Sequence, residues 1–169
     1  MSAQVLILVG SPRDWDVMKE AAAELDALGV THRAHVASAH RSLDRTVALV
    51  REAEAAGARV IVCGAGMAAH LAGVAAACTV RPVIGVPLPG GVADGLDALL
   101  ATVQMPGGVP VAAVAVGKAG ARNAALLAAE IIALGDEALA ARLRAARADQ
   151  AEAVAAADRE LSADRGGAE

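Results

Sequence analysis

The sharpest cluster of reactive side chains in the sequence is Ser38-Ala39-His40-Arg41. It follows a strand candidate, Thr31 to Ala37, and so reads as the turn beyond a strand end. A free imidazole titrates near neutrality and can both give and take a proton. The neighbouring guanidinium offers a fork of donors that matches phosphate or carboxylate. Together they suit proton transfer beside an anion. The same residues also read as a capping serine ahead of ordinary surface charges, and spacing alone favours that second reading.

Other candidates are weaker one by one. Gly64-x-Gly66-x-x-Ala69 matches the loose dinucleotide fingerprint after a strand. The acidic residue expected about 20 positions on, at the end of the next strand, is missing. A dinucleotide site is therefore rejected. The milder reading is that the glycines let backbone approach a ligand and that a helix start there favours an anion. His70 sits in an apolar, alanine-rich helix start and reads as a satisfied buried histidine. With His40 it could make a pair of metal ligands, but no cysteines or carboxylates surround it and H-E-x-x-H is absent, so no metal is expected. Asp14 could cap a helix or hold sugar hydroxyls. Lys118 and Asn123 either line the same rim or simply open a long helix. His32 and His35 carry no special signal.

The elements that must position these residues alternate strand and helix. Strands are predicted at Val5–Val9, Thr31–Ala37, Arg59–Cys63, Pro82–Val86 and Val109–Val116. Helices are predicted at Asp14–Leu28, Ser42–Ala56, Met67–Ala77, Ala119–Leu134 and Glu137 to about Leu161, with Asp94–Gln104 partly helical. Mostly apolar strands separated by helices imply a parallel sheet covered on both faces, a three-layer flavodoxin-like α/β sandwich. Ligands of such sheets bind beyond the carboxyl ends of the strands. Gly10-Ser11-Pro12-Arg13-Asp14, Ser38 to Arg41, Gly64 to His70 and Pro87 to Gly91 all fall there and would form one rim. The helix from Glu137 does not fit the alternation. It is either a projecting partner-binding arm or a helix packed on its own subunit. The expected division is a domain over 1–135, a C-terminal helical arm over 136–163, and a frayed tail over 164–169.

Composition narrows the classes further. The chain has 169 residues, 56% hydrophobic and 20% charged, which suits one folded domain. One Trp and no Tyr or Phe leave the core to Ala, Val, Leu and Ile. Small side chains bury little area each, so burial between subunits is expected to help. A net charge of -4 with no basic stripe and no stacking aromatics argues against nucleic acid. The two cysteines lie in apolar segments, no basic leader precedes the first strand, and no apolar stretch reaches membrane length. The expectation is a cytoplasmic protein without membrane or nucleic-acid partners.

The motifs taken jointly resemble the 5-(carboxyamino)imidazole ribonucleotide mutase family, PurE, of single-domain bacterial type. The likeness runs from Val5 to about Leu134. It is carried by Gly10-Ser11-x-x-Asp14-Trp15, Ser38-Ala39-His40-Arg41, Gly64-Ala65-Gly66-x-Ala68-Ala69-His70-Leu71-x-Gly73, Gly95-Leu96-Asp97-x-Leu99 through Val103-Gln104-Met105-Pro106-x-Gly108-x-Pro110-Val111, and Gly117-Lys118-Ala119-Gly120-Ala121-x-Asn123 to Ala128. The resemblance implies an isomerase of purine biosynthesis. It would convert the carboxyamino nucleotide to 4-carboxy-5-aminoimidazole ribonucleotide by decarboxylation and recarboxylation, with no cofactor.

The resemblance also implies roles. His40 is the acid-base group. Ser11, Ser38 and Arg41 lie at the phosphate, with Ala39 in the same turn, and Asp14 lies near the ribose hydroxyls. Gly66, Ala68, Ala69, His70 and Leu71 belong to the loop over the imidazole and an apolar CO2 pocket. Family members are octamers with sites between subunits. Arg41 matches the mutase, whereas related carboxylases that take CO2 directly tend to carry Lys. Four departures stand out. Arg13 replaces a usual Ser and either adds a phosphate contact or obstructs the pocket. Met67 replaces Gly, Ala72 replaces Pro, and Ser42-Leu43 replaces Thr-Pro. A direct carboxylase and a non-catalytic nucleotide-binding paralogue are the alternatives.

Overall fold

A computed structural model describes residues 2–165. Five parallel strands form one sheet in the order β2-β1-β3-β4-β5. They are β1 (Val5–Val9), β2 (His32–Val36), β3 (Val60–Ala65), β4 (Val83–Pro87) and β5 (Ala112–Ala113). The helices are α1 (Trp15–Ala27), α2 (Leu43–Ala55), α3 (Leu71–Ala76), α4 (Leu96–Val103), α5 (Gly117–Ala133) and α6 (Glu137–Arg165). The three-layer α/β architecture matches the expectation.

Alternation along each strand divides the core between the two faces. Val5, Ile7 and Val9 of β1 join Val60, Val62, Ile84 and Val86 under α1, α5 and the start of α6. Leu6, Leu8, Ile61, Cys63 and Val83 face the other way, against α2 and α3. Ala21 and Ala22 of α1 meet a long alanine face on α5, Ala121, Ala124, Ala125, Ala128 and Ala129. Small side chains there let the two helices approach closely, which is how a core almost without aromatics closes. Gly85 in β4 leaves room for Thr102 of α4 and for Ala72 of α3, so α4 lies on the second face. Thr102 is fully buried, and its hydroxyl donates to the Ala98 carbonyl at 2.7 Å.

Register brings the strand ends into line. Val9 pairs with Val36 on one side and Gly64 on the other, while Gly64 pairs with Val86 and Ala65 with Pro87. Hydrogen bonds continue past the strands, from Gly10 N to Gly64 O and from Leu88 N to Ala65 O. Four loops therefore leave the sheet along a single edge.

Three boundaries differ from expectation for physical reasons. The helix expected from Met67 begins only at Leu71, because Met67 adopts φ 55, which no α-helix tolerates. The glycines at 64 and 66 therefore precede a loop, not a helix start. The expected strand over 109–116 shrinks to Ala112–Ala113, since Pro110 cannot donate to a ladder and this is the sheet edge. The last helix runs past Leu161 to Arg165, into the segment expected to fray, and residues 166–169 lie outside the described ones. Leu139 and Leu143 bury the first turns of α6 against the domain, and Arg142 Nε donates to the Leu28 carbonyl at 2.9 Å. Val154 and Leu161 farther along are exposed.

Candidate active site

The aligned strand ends open into a cleft of about 670 Å³, a size typical of small-molecule sites. Its wall contains Ser11, Arg13, Asp14, Ser38, Ala39, His40, Arg41, Gly66, Ala68 and Leu71, all singled out from the sequence. Two expected residues are placed differently. Ala69 is buried behind the wall. His70 is outside the lining but touches it through His40.

The loop after β1 is short and self-tied. Pro12 to Asp14 form a 3-10 turn, and the Asp14 carboxylate accepts from the Ser11 amide at 2.8 Å. Asp14 thus caps this turn while remaining half-buried at the cleft wall. Gly10 packs closely on the same turn: a Cβ there would stand 3.3 Å from the Asp14 carboxylate, which would have to shift slightly. Arg13 in this turn is exposed.

The loop after β2 is held by two serines. The Ser38 amide donates to Ser42 Oγ at 3.0 Å, and Ser42 Oγ donates back to the Ser38 carbonyl at 3.2 Å. Ser42 replaces the usual Thr of the family pattern, and its hydroxyl still staples the turn. Arg41 spans two loops. Its Nε donates to Ser38 Oγ at 3.3 Å, and its NH2 group donates to the Gly10 carbonyl at 3.2 Å. A guanidinium anchored on one side keeps its remaining donors for a ligand and loses little freedom on binding.

His40 ends this loop next to the loop after β3. Its Nε2 lies 2.8 Å from Nδ1 of His70. The ring centroids are 4.9 Å apart and the planes meet at 76°. His70 is exposed, which corrects the expectation of a buried core histidine. Its helix starts at Leu71, so its ring is turned to the rim and not into the core. Among the described residues no three His, Cys, Asp or Glu side chains gather as a metal cage requires.

Several wall residues were not singled out as ligand contacts: Val17, Ala65, Leu88, Pro89, Gly90 and Gly91. Val17 follows Asp14 by one helical turn, a spacing that could have revealed it. The loop after β4 carries its own signal in Gly90 and Gly91, at φ 102 and 66. The Asp94 and Asp97 carboxylates fix that loop by accepting from the Gly90 and Val92 amides, at 2.9 and 3.1 Å. Ala72 is fully buried beside Gly85, so the family's Pro is replaced in the core and not in the cleft.

A family model described as AIR carboxylase matches residues 4–153. The chain belongs to the AIR carboxylase family. The N5-carboxyaminoimidazole ribonucleotide mutase of Brucella melitensis is 54% identical over 92% of this chain and 96% of its own length. The mutase of Bacillus subtilis is 50% identical over 85% of this chain and 88% of its own length. That of Escherichia coli K12 is 47% identical, with 90% of each chain covered. Among solved structures, Treponema denticola PurE superposes with a TM-score of 0.85 at 28% identity, covering 93% of this chain and 97% of that one. These relatives place the AIR carboxylase family pattern across nearly the whole chain. No helix among the described residues is long and apolar enough to cross a membrane.

Proposed function

We propose that this chain is an N5-carboxyaminoimidazole ribonucleotide mutase. Curated relatives at 47 to 54% identity carry that activity in their names. The observation that carries the mechanism is the His40–His70 pair at 2.8 Å, on the rim of a cleft that also holds the anchored Arg41.

The carboxylate leaves the exocyclic nitrogen of the substrate as CO2. The electron pair of the broken C–N bond stays on nitrogen, which takes a proton from His40. Ring carbon 4 then attacks the CO2 carbon, and the proton displaced from carbon 4 returns to His40. Protons balance over the cycle, so one imidazole serves both steps and ATP has no part. Arg41 pairs with the phosphate, with Ser11 and Ser38 as hydrogen-bond donors and Arg13 as a second cation. Asp14 faces the ribose hydroxyls. Gly66, Ala68 and Leu71 cover the imidazole. Purified protein given the carboxyamino substrate alone will form the carbon-carboxylated product. Appearance of product only from aminoimidazole ribonucleotide with added CO2 would assign the direct carboxylase instead.

The same reading includes the assembly. Leu96, Leu100 and Val103 lie on one face of α4, 47, 48 and 49% exposed, and α6 carries exposed Val154 and Leu161. Apolar faces of this kind suit subunit contacts, and α6 runs for 29 residues, well past the buried Leu139 and Leu143 of its first turns. Sedimentation of the purified protein is expected to give an octamer; a monomer at micromolar concentration would contradict this.

A further inference from the structure

The loop after β4 holds a backbone shape that free chains rarely adopt. Gly90, Gly91, Ala93, Asp94 and Gly95 all have left-handed φ, and Ala93 and Asp94 reach it, at φ 47 and 51, without being glycine. Packing does not impose the shape, because residues 89–94 are exposed. Only the ends are pinned. The Leu88 amide donates to the Ala65 carbonyl, and Gly95 is buried with no room for a side chain between the Leu88 carbonyl and Val116. Between those ends, beside one backbone bond from the Gly95 amide to the Val92 carbonyl, the restraints are two carboxylates. Asp94 Oδ1 accepts from the Gly90 amide at 2.9 Å, and Asp97 Oδ2 accepts from the Val92 amide at 3.1 Å. Asp97 lies so close to the loop that a Cβ on Gly91 would stand 2.4 Å from Oδ2. Neither carboxylate lines the cleft, yet Pro89, Gly90 and Gly91 do. In the sheet β4 is separated from β2 by β1 and β3, so this wall stands across the cleft from Ser38 and Arg41.

We propose that Asp94 and Asp97 are positioning residues that set the affinity of the cleft for its nucleotide by holding the β4 loop in its ligand-ready shape. This rests on the mutase reading above. Neither carboxylate touches the ligand or moves a proton. A released loop spreads over many shapes, and the apparent affinity falls with the fraction that still presents the wall. Saturating substrate selects that fraction, so KM rises while kcat holds.

The test measures turnover of the carboxyamino substrate and calorimetric binding of 4-carboxy-5-aminoimidazole ribonucleotide in the full chain. Asp94→Gly removes one carboxylate but keeps left-handed freedom, which separates the hydrogen bond from backbone strain. Asp97→Ala removes the other. Each should raise KM and weaken product binding by about tenfold, the weight of one hydrogen bond to a charged group, with kcat within about twofold of wild type. Asp94→Asn and Asp97→Asn keep an acceptor oxygen and should stay within about threefold of wild type in KM. Asp94 is exposed, so Asp94→Gly carries the test even where Asp97→Ala, in the first turn of α4, fails to fold. Unchanged KM in folded Asp94→Gly and Asp97→Ala overturns the proposal. So does a loss in kcat as large as that in KM, or an Asn variant as weak as the truncated one. Wild type that neither turns over nor binds the product defeats the mutase reading instead, a distinguishable failure.

Discussion

His40 Nε2 and His70 Nδ1 stand 2.8 Å apart although thirty residues separate them in the chain. His40 follows β2 and His70 follows β3, and both strands pair with β1 in parallel register. Two imidazoles at this distance share a single proton between the facing nitrogens, and each fixes the tautomer of the other. His40 lines the cleft and His70 stands behind it, outside the lining.

His70 should therefore act through His40. Losing one hydrogen bond of about 1 kcal/mol lowers kcat by roughly fivefold for His70→Leu. His70→Asn retains a donor and an acceptor and should fall less. A His70→Leu variant with unchanged kcat would remove His70 from the proton path.

The two arginines of the cleft should differ in weight. Arg41 is held by Ser38 and the Gly10 carbonyl, so Arg41→Met raises KM by about 10- to 100-fold, the range of a charged hydrogen bond. Arg13 is exposed, and Arg13→Ser should raise KM only a few-fold, by an amount that shrinks as salt is added. A fall in KM on Arg13→Ser would show that Arg13 obstructs the pocket.

Glu20 links α1 to α5. The Arg122 hydrogen bond, at 2.8 Å, holds its carboxyl below the usual range, aided by the charges of Arg122, Lys118 and Lys19 against partial desolvation. A carboxylate depressed in the folded state adds stability above its unfolded pKa and loses it as pH falls through the folded value. Glu20→Gln should thus melt slightly lower than wild type at neutral pH. Thermal melts across pH should show that gap closing in acid below the ordinary Glu range. A gap independent of pH would contradict the pairing.

Most of the fold was legible because the strands VLILV, RVIVC and PVIGV are buried on both faces and carry little but apolar residues. The cleft was legible for the same reason: parallel topology dictates which loops share an edge. The errors are local. A methionine at 67 gives no hint of a left-handed backbone, so the helix start was placed too early. A valine-rich run at 109–116 suggested a full strand, yet Pro110 and the edge position leave a two-residue bridge. The His40–His70 contact depends on the register of three strands and on the exact end of a loop, neither of which spacing encodes. His70 consequently looked like core.

Gly120 tests the alanine-rich packing. A methyl there would fall on the Ala115 carbonyl, in backbone that cannot move aside cheaply. Gly120→Ala should destabilise by about 3 kcal/mol, the upper range for overpacking, seen as a lower urea midpoint at matched protein concentration. A midpoint equal to wild type would show that the loop before α5 yields readily.

His40 carries the central claim and is best tested by turnover of the carboxyamino substrate, without ATP, in wild type and His40→Asn at equal concentration. His40 is exposed, so the variant should fold and melt like wild type. Wild type should form the carbon-carboxylated product, and His40→Asn should lose about 100- to 10,000-fold in kcat, the weight of a general acid-base group. A folded His40→Asn that turns over like wild type would contradict the account.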